Sequence, residues 1–171
     1  MYRIKGRLFV MDHGNVQVIE LCEDIIPEAS RLIAQFKNLD VSNEQRLSEC
    51  QETLLRLLRY PHAFCLLARI EDQYTGFLTY NWGLSTSRGL PILRTQDVYT
   101  APPYRRKGAA RQLLLHARTI AEKAGANRMQ LETDLTNKAA RPLYEELGFL
   151  WMEQKIVYMY PMNGWRRPDE A

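Results

Sequence analysis

A cluster of basic residues stands where a predicted strand passes into a predicted helix. The cluster is Arg105-Arg106-Lys107-Gly108-Ala109-Ala110-Arg111, with four basic side chains and no acidic one. The first turn of a helix has unpaired backbone N–H groups and the positive end of the helix dipole, so each cation there costs about 0.3–1 kcal/mol. A bound anion such as phosphate reverses that preference. The segment therefore predicts an anion site, with a solvated basic turn as the alternative.

The basic charge of the chain is local. The formal net charge is +3 over 171 residues, so the residues outside the basic cluster sum to −1. A nearly neutral remainder argues against a nucleic-acid surface and favours a small polyanionic ligand. The three cysteines, Cys22, Cys50 and Cys65, are widely spaced and form no metal-ligand pattern, so no metal site is expected.

Hydrophobic periodicity predicts the elements around this cluster. Helices are predicted over 25–36, from the capping-box sequence Ser42-Asn43-Glu44-Gln45 to Tyr60, over 110–124 and over Asn137–Leu147. The last of these helices is expected to be irregular until about Arg141, because Pro142 fits only the first turn of a helix. Strands are predicted at Arg3–Val10, Val16–Leu21, Phe64–Ile70, Tyr74–Trp82, Ile92–Thr100, Met129–Thr133 and from Phe149 to Tyr160, with a loop at Gly83–Pro91.

This order of elements predicts the class of fold. A strand–helix–strand unit requires a parallel strand pair with a right-handed crossover, whereas the hairpin around Glu71-Asp72-Gln73 requires antiparallel neighbours. We expect an α/β (α+β) fold with a mixed, mostly antiparallel twisted sheet and helices on both faces. One domain is predicted over residues 1–162, followed by a polar tail over 163–171.

Composition also suggests a location. No apolar run approaches the ~18 residues of a membrane span, and the run Leu8–Met11 is too short for the core of a signal peptide. We therefore expect a cytoplasmic protein without a membrane partner.

Two motifs together identify a family. Arg105–Ala110 fits the pattern Arg/Gln-x-x-Gly-x-Gly/Ala behind the strand Asp97–Thr100. About thirty residues later comes Asn137-x-x-Ala140-x-x-x-Tyr144-x-x-x-Gly148-Phe149. In this combination the chain closely resembles the GNAT superfamily of N-acetyltransferases. Ala110 departs from the glycine that many members carry, a change that the family tolerates.

The resemblance implies an acetyl-coenzyme A co-substrate and its binding residues. The strand before the motif would splay from its parallel neighbour, and pantetheine would bond the backbone of Val98, Tyr99 and Thr100. The turn and helix start would hold the pyrophosphate, with Asn137 beside the pantetheine arm and Tyr144 near the sulfur. The implied cofactor-binding turn comprises Arg105, Arg106, Lys107, Gly108, Ala109, Ala110 and Arg111.

Catalytic roles follow from the same resemblance and from acid–base chemistry. Tyr144 is the candidate general acid for the leaving thiolate, with a buried core tyrosine as the alternative. Asp97 is the candidate base for the acceptor amine, with Glu132 and Asp134 as rivals and an ordinary strand-end carboxylate as the alternative.

The acceptor is less determined. The resemblance implies an acceptor site formed by Asn38–Asn43 and Trp82–Leu90, with Tyr80 and Trp82 either lining it or belonging to the core. The predicted reaction is direct attack by a primary amine of a small molecule or peptide in a ternary complex. The alternatives are a non-catalytic acyl-CoA sensor and an acetyltransferase of protein N-terminal or lysine amines. The oligomeric state stays open, a homodimer included.

Overall fold

The computed structural model describes residues 15–162. The chain divides into two compact units, the first ending at Asn137 and the second beginning at Lys138. The predicted strand Arg3–Val10 and the predicted tail 163–171 lie outside the described residues.

The first unit contains three helices, α1 (Ile26–Phe36), α2 (Glu44–Arg59) and α3 (Ala109–Lys123). In α2, Asn43 is the N-cap, and its side-chain oxygen accepts a hydrogen bond from the backbone N–H of Arg46 at 3.1 Å. The predicted capping box starting at Ser42 is therefore wrong by one residue, because the Ser42 hydroxyl donates instead to Asp40. The helix ends before Tyr60-Pro61, as predicted.

One five-stranded sheet forms the centre of this unit. Its order is β1-β2-β3-β4-β5, antiparallel throughout except for the parallel pair β4–β5. The strands are β1 (Val16–Glu20), β2 (Ala63–Ile70), β3 (Gln73–Ser85), β4 (Leu90–Thr100) and β5 (Arg128–Leu131). The mixed, mostly antiparallel α+β fold predicted from the sequence is confirmed.

The connection between β3 and β4 is shorter than predicted. The expected loop Gly83–Pro91 is wrong, because β3 continues to Ser85 and β4 already begins at Leu90. Gly89 adopts a left-handed φ of +66°, and its N–H donates to the carbonyl of Ser85 at 2.6 Å. This tight turn lets the two strands pair almost to their ends.

The two faces of the sheet are covered by different helices. Helices α1 and α2 pack on one face, where Cys65, Leu67 and Phe77 belong to a buried cluster with Leu32 and Leu54. Helix α3 contacts all five strands and buries Leu113, Leu114, Ala117 and Ala121. The right-handed β4–α3–β5 crossover accounts for α3 on its face, and α1 and α2 cover the opposite face.

The second unit has one short helix, α4 (Arg141–Glu146). Pro142 lies in its first turn, and the predicted late start at about Arg141 is confirmed. The strands predicted from Phe149 to Tyr160 are wrong, since residues 149–162 contain no strand. Leu150, Tyr158 and Tyr160 are each more than 80% exposed. β-propensity does not make a strand without a backbone partner.

Among the described residues, no helix is both long enough and apolar enough to cross a membrane.

Candidate active site

Pairing between the parallel strands stops partway along β4. The register runs from Ile92↔Arg128 to Thr95↔Leu131, whereas β4 continues to Thr100. On its other side β4 stays paired with β3, but Thr79 faces Asp97 while Tyr80 faces Thr95. Gln96 is therefore an extra residue, a β-bulge that bends the strand at the point where β5 ends. Beyond the bulge, the described residues give β4 a strand partner on one side only.

The basic turn after β4 has an unusual backbone. A 3₁₀ turn over Pro102–Tyr104 leads into Arg106, which has a left-handed φ of +63°, and then into Gly108 with φ +91°. A non-glycine residue in this region costs of order 1–3 kcal/mol and persists where the surrounding structure holds it. The Arg105 Nε donates to the carbonyl of Thr100 at 3.3 Å, so the turn folds back on the strand end.

The start of α3 fits a phosphate group. Gly108 is the N-cap and supplies no side-chain cap, and the first turn contains no acidic residue. Arg105, Arg106 and Lys107 are exposed, with the Lys107 ammonium 5.2 Å from the centre of the Tyr104 ring. An anion at this helix end would receive both backbone N–H groups and cationic side chains. The sequence-predicted anion site thus has the local geometry that such a site needs.

Two buried hydroxyls lie on the same strand. The Oγ1 atoms of Thr95 and Thr100 are shielded from solvent and have no hydrogen-bond partner among the described residues. Thr95 is the last residue of β4 that pairs with β5, and Thr100 is the last residue of the strand. Buried polar groups without partners are uncommon and call for a reason. Of the two, Thr100 belongs to the stretch whose backbone the resemblance assigns to the pantetheine arm.

Asp97 is held by a contact that the sequence did not reveal. The Thr79 hydroxyl donates to Asp97 Oδ2 at 2.7 Å, and the backbone N–H of Asp97 donates to the same hydroxyl oxygen at 3.2 Å. Cys65 is the β2 partner of Thr79, so the three residues form one row across the sheet. Burial, together with the Asp97 charge, raises the pKa of the Cys65 thiol to about 12, which makes Cys65 a neutral core residue.

The rival carboxylates lie beyond the end of β5. Glu132 and Asp134 are both exposed. Asp134 Oδ1 accepts hydrogen bonds from the backbone N–H and the hydroxyl of Thr136, both at 2.7 Å, and these bonds lower the pKa of its carboxyl group. A carboxylate stabilised in its charged form is a weaker proton acceptor. These bonds count against Asp134 as the general base.

Asn137 belongs to the turn after β5 and not to the start of α4. Its backbone N–H donates to the carbonyl of Asp134 at 3.0 Å, and its side-chain amide donates to the Thr133 hydroxyl at 3.1 Å. Helix α4 begins four residues later, after Ala140 as N-cap. Asn137 is therefore not the cap of α4.

Tyr144 lies in α4 of the second unit and is half-buried. Its ring meets that of Phe149 edge-on, with the ring centres 6.0 Å apart, and its carbonyl accepts from the Phe149 N–H at 2.9 Å. The helix C-terminus at Gly148, with φ +86°, turns the chain so that Phe149 folds back onto Tyr144. The spacing Tyr144–Gly148–Phe149 thus has a local structural role whatever its chemistry.

An open cleft of about 570 Å³ lies between the end of α1 and the end of β4. One side consists of Gln35, Phe36 and Asn38, and the other of Tyr99, Pro102, Pro103 and Arg105. Phe36 packs edge-on against both Phe77 and Tyr99, at 5.6 and 5.7 Å between ring centres. The volume lies within the range of small-molecule sites.

The helix end that forms this cleft is fixed by its backbone. Asn38 ends α1 in the left-handed region with φ +54°, and Leu39 N–H donates to the carbonyl of Ala34 at 2.9 Å. Asn38 N–H donates to Gln35 O at 3.0 Å, which completes a Schellman-type end. Of the two segments predicted to shape an acceptor site, only the one containing Asn38 lines this cleft.

Tyr80 and Trp82 lie on the other face of the sheet, because side chains alternate along β3 and Phe77 points towards α1. Tyr80 is 5% exposed and stacks on Phe64 with ring centres 5.1 Å apart. Burial is the main cause that raises the pKa of the Tyr80 phenol, ahead of the nearby Glu20 charge. Tyr80 is therefore a core residue, and the alternative of an acceptor wall does not apply to it.

Comparison with known proteins gives a consistent result. A family model described as the acetyltransferase (GNAT) family matches residues 28–149. An aminoglycoside N(6')-acetyltransferase type 1 of Serratia marcescens is 26% identical over 122 residues, which cover 68% of this chain and 80% of the relative. N-alpha-acetyltransferase 30 of Xenopus laevis is 39% identical over 103 residues, covering 58% of this chain but only 36% of the relative.

A solved structure has the same fold. AAC(6')-Iy in complex with the bisubstrate analogue CoA-S-monomethyl-acetylneamine superposes with a TM-score of 0.68 at 17% identity, covering 87% of this chain and 100% of that one. At this level of identity the likeness establishes the architecture alone.

Proposed function

Since this chain belongs to the GNAT acetyltransferase family, we propose that it transfers the acetyl group of acetyl-CoA to a primary amine by direct attack within a ternary complex. GNAT acetyltransferases use acetyl-CoA as co-substrate, and the thioester supplies an activated acetyl group. The acetyl C–S bond breaks as the C–N bond forms, so no acyl-enzyme is required. The products are an N-acetylated amine and CoA.

The observation that carries the proposal is the N-terminus of α3, which follows the bulged strand β4 through the basic turn. This helix end has exposed basic side chains, a glycine N-cap with φ +91° and no acidic residue in its first turn. The nearby Thr95 and Thr100 hydroxyls are buried without partners among the described residues. We assign the phosphates to residues 105–111 and the pantetheine arm to the Val98–Thr100 backbone and Asn137.

Two side chains are proposed to move protons. A lysine-like amine with a pKa of about 10.4 must lose a proton to attack, which costs roughly 4–5 kcal/mol at pH 7. Asp97 accepts that proton, directly or through water, with Thr79 holding its Oδ2 atom. Tyr144 gives a proton to the leaving thiolate, a role that rests on the family pattern around Gly148-Phe149.

A peptide amine is the acceptor that one comparison favours. The relative named as an N-alpha-acetyltransferase has higher identity, 39%, than the aminoglycoside enzyme, 26%, although it covers less of this chain. We further propose that the described residues and the first fourteen act as one domain, 1–162, and that the protein works in the cytoplasm without metal.

The proposal is tested first by cofactor binding. A ligand at 100 to 1,000 times its dissociation constant stabilises the native state by about 2.7–4.1 kcal/mol. Millimolar acetyl-CoA should therefore raise the melting temperature by several degrees, and acetyl-pantetheine, which lacks the adenosine and all the phosphates of CoA, should raise it less. Release of free thiol from acetyl-CoA with a panel of amines then tests turnover. Binding of acetyl-CoA without turnover of any amine would identify an acyl-CoA sensor and contradict the proposed acetyltransferase activity.

A further inference from the structure

The strand β1 lies at one edge of the sheet. Among residues 15–162 it pairs with β2 alone, from Val16↔Ile70 to Glu20↔Leu66. A free edge presents unpaired backbone N–H and C=O groups to any extended chain, so proteins usually cover it or place prolines and charges along it. β1 contains no proline, and its only charged residue is Glu20 at its end. Its free edge is therefore suited to pairing with a further strand.

Glu20 lacks a counter-charge in the described part of the chain. None of the ion pairs there includes this residue. Partial burial raises the pKa of its carboxyl group, because the charged form is less well solvated there than in water. A cation held beside the carboxylate would offset that cost. A strand that pairs with β1 should therefore place a basic residue opposite Glu20.

The chain just before β1 has the sequence of such a strand. The predicted strand Arg3–Val10 is joined to β1 through Met11 and the turn sequence Asp12-His13-Gly14-Asn15. A two-residue loop is the commonest hairpin connection, and its central residues need a left-handed backbone. Glycine adopts that conformation freely, and histidine adopts it more readily than most residues. With His13-Gly14 as the loop, Arg3–Val10 is long enough to run back along all of β1.

The length of the loop fixes which residues face each other. On the face of β1 that carries the buried Val16 and Val18, a two-residue loop sets three opposed pairs: Met11 with Val16, Phe9 with Val18, and Arg7 with Glu20. Apolar side chains thus meet apolar ones, and a basic side chain meets the acid. A shift of one residue in either direction would put Leu8 or Gly6 opposite Glu20 instead. The charge pattern therefore agrees with the loop length that hairpins favour.

We propose that Arg3–Val10 pairs antiparallel with the free edge of β1 in the same molecule, with Arg7 opposite Glu20. The pairing adds a strand to the five-stranded sheet and covers its open edge. A Cβ built on Gly108 would lie 3.9 Å from Val16 Cγ2, so β1 packs beneath the start of α3. The added strand therefore borders the part of the sheet that supports the basic turn. The proposal concerns the sheet and does not depend on acetyl transfer.

Disulfide formation tests the register. Cys22 is exposed and its backbone is extended, and the proposed register puts Lys5 opposite it. Opposed residues of antiparallel strands have Cα atoms about 4.5–5.5 Å apart, which suits a disulfide, whereas a residue two positions further along is about 8 Å away. Lys5→Cys should therefore form an intramolecular disulfide with Cys22 when oxidised with glutathione disulfide. The disulfide is detected as a faster monomer band on a non-reducing gel and as the loss of two free thiols.

Arg3→Cys is the matched control, because it lies two residues out of register in the same segment. It should form much less of the disulfide with Cys22. Equal yields in the two variants, including no disulfide in either, would overturn the proposal. A disulfide-linked dimer of Lys5→Cys would overturn it too, since the segment would then pair with a second copy of the chain.

A charge exchange tests the contact between Arg7 and Glu20 independently. Arg7→Glu and Glu20→Arg each put like charges opposite each other, so each should lower the melting temperature by up to about 4 °C. The double variant restores opposite charges and should recover most of that loss. The control combines Glu20→Arg with Arg88→Glu, which reverses an exposed charge in the turn between β3 and β4, and should show no recovery. Equal recovery in the two double variants, or none in either, would contradict the contact.

Discussion

At the scale of single residues, the carboxylate of Asp97 is the group whose role can be tested most sharply. Asp97→Asn keeps the size and the contact with Thr79 but cannot accept a proton. We expect a rate loss near neutral pH that shrinks as the pH rises, because the amine then deprotonates without help. A pH–rate profile measures this, and the affinity for acetyl-CoA should hardly change.

Two further measurements decide whether Asp97 is a base or a structural residue. A deficit that is flat across the accessible pH range, with a lower melting temperature, would return Asp97 to a structural role. Thr79→Val removes the hydroxyl that donates to Asp97 Oδ2 at 2.7 Å but keeps the shape of the side chain. It should lower kcat by less than Asp97→Asn does, with Thr79→Ser restoring the rate.

Tyr144 is tested by removing only its hydroxyl. Tyr144→Phe preserves the ring that meets that of Phe149, so this packing contact should be retained. Loss of a general acid lowers the rate by about 10²–10⁴-fold. The measurement is single-turnover acetyl transfer, where chemistry limits the rate, alongside the dissociation constant for acetyl-CoA. An unchanged rate would assign Tyr144 to packing alone.

At the scale of elements, the junction between β4 and α3 depends on the backbone of Gly108. Its φ of +91° is rarely adopted by residues with a side chain, although a Cβ there would meet only Val16 Cγ2 at 3.9 Å. Gly108→Val should therefore weaken acetyl-CoA binding strongly, through strain in the turn and loss of close backbone approach. Binding is measured by thermal shift or calorimetry.

A glycine at the opposite end of α3 provides the control for that experiment. Gly125 has a φ of +65°, and a Cβ there would meet nothing within 4 Å. Gly125→Val should cost comparable backbone strain without affecting acetyl-CoA affinity. If Gly108→Val bound acetyl-CoA as tightly as the parent protein does, the phosphates would have to bind elsewhere.

The pairing of β3 with β4 depends on a different glycine. A Cβ on Gly76 would collide with the backbone oxygen of Tyr99, on the stretch proposed to hold pantetheine. Backbone atoms cannot move aside cheaply, so Gly76→Ala should separate the strands and lower both stability and cofactor affinity. Gly83→Ala is the matched control, since its Cβ would lie 3.3 Å from Nε of the flexible Arg94 side chain. Equal melting temperatures for the two variants would contradict this prediction.

At the scale of the whole molecule, the stability should depend on pH through His116. Its Nδ1 is buried without a hydrogen-bond partner among the described residues, and burial, with the Lys123 charge, lowers the pKa of its imidazole. A depressed native pKa means that the unfolded chain binds the proton first. The free energy of unfolding should therefore fall as the pH drops below about 6.5, the usual pKa of histidine.

The contribution of His116 is isolated by comparison with a variant. His116→Gln cannot titrate, so its free energy of unfolding should vary less between pH 7.5 and pH 5.5 than that of the parent. Partial burial raises the pKa of the Glu20 carboxyl, so Glu20 changes the free energy of unfolding with pH in the opposite direction. Glu20 is present in both proteins, so its effect cancels in the comparison. Parallel pH profiles for parent and variant would exclude His116 as the cause.

Much of the site could be predicted because it is local in sequence. The basic turn, Gly108 and the first turn of α3 are consecutive residues, and the preference of a helix start for anions does not depend on the rest of the fold. The element order likewise determined the mixed sheet, because a β–α–β unit and a hairpin each permit one strand direction. Strands over 149–160 were predicted wrongly since propensity alone supplies no pairing partner.

Only the tertiary structure decided which side chains meet. The Thr79–Asp97 contact joins residues 18 apart, and the cleft joins Gln35 to Tyr99, 64 residues away along the chain. The bulge at Gln96, which sets where β4 leaves β5, depends on the register against β3. Such contacts follow from how helices and strands pack, and no spacing within one element encodes them. The sequence by itself therefore determined the basic turn and the family resemblance, whereas packing determined the contact of Thr79 with Asp97 and the set of residues that line the cleft.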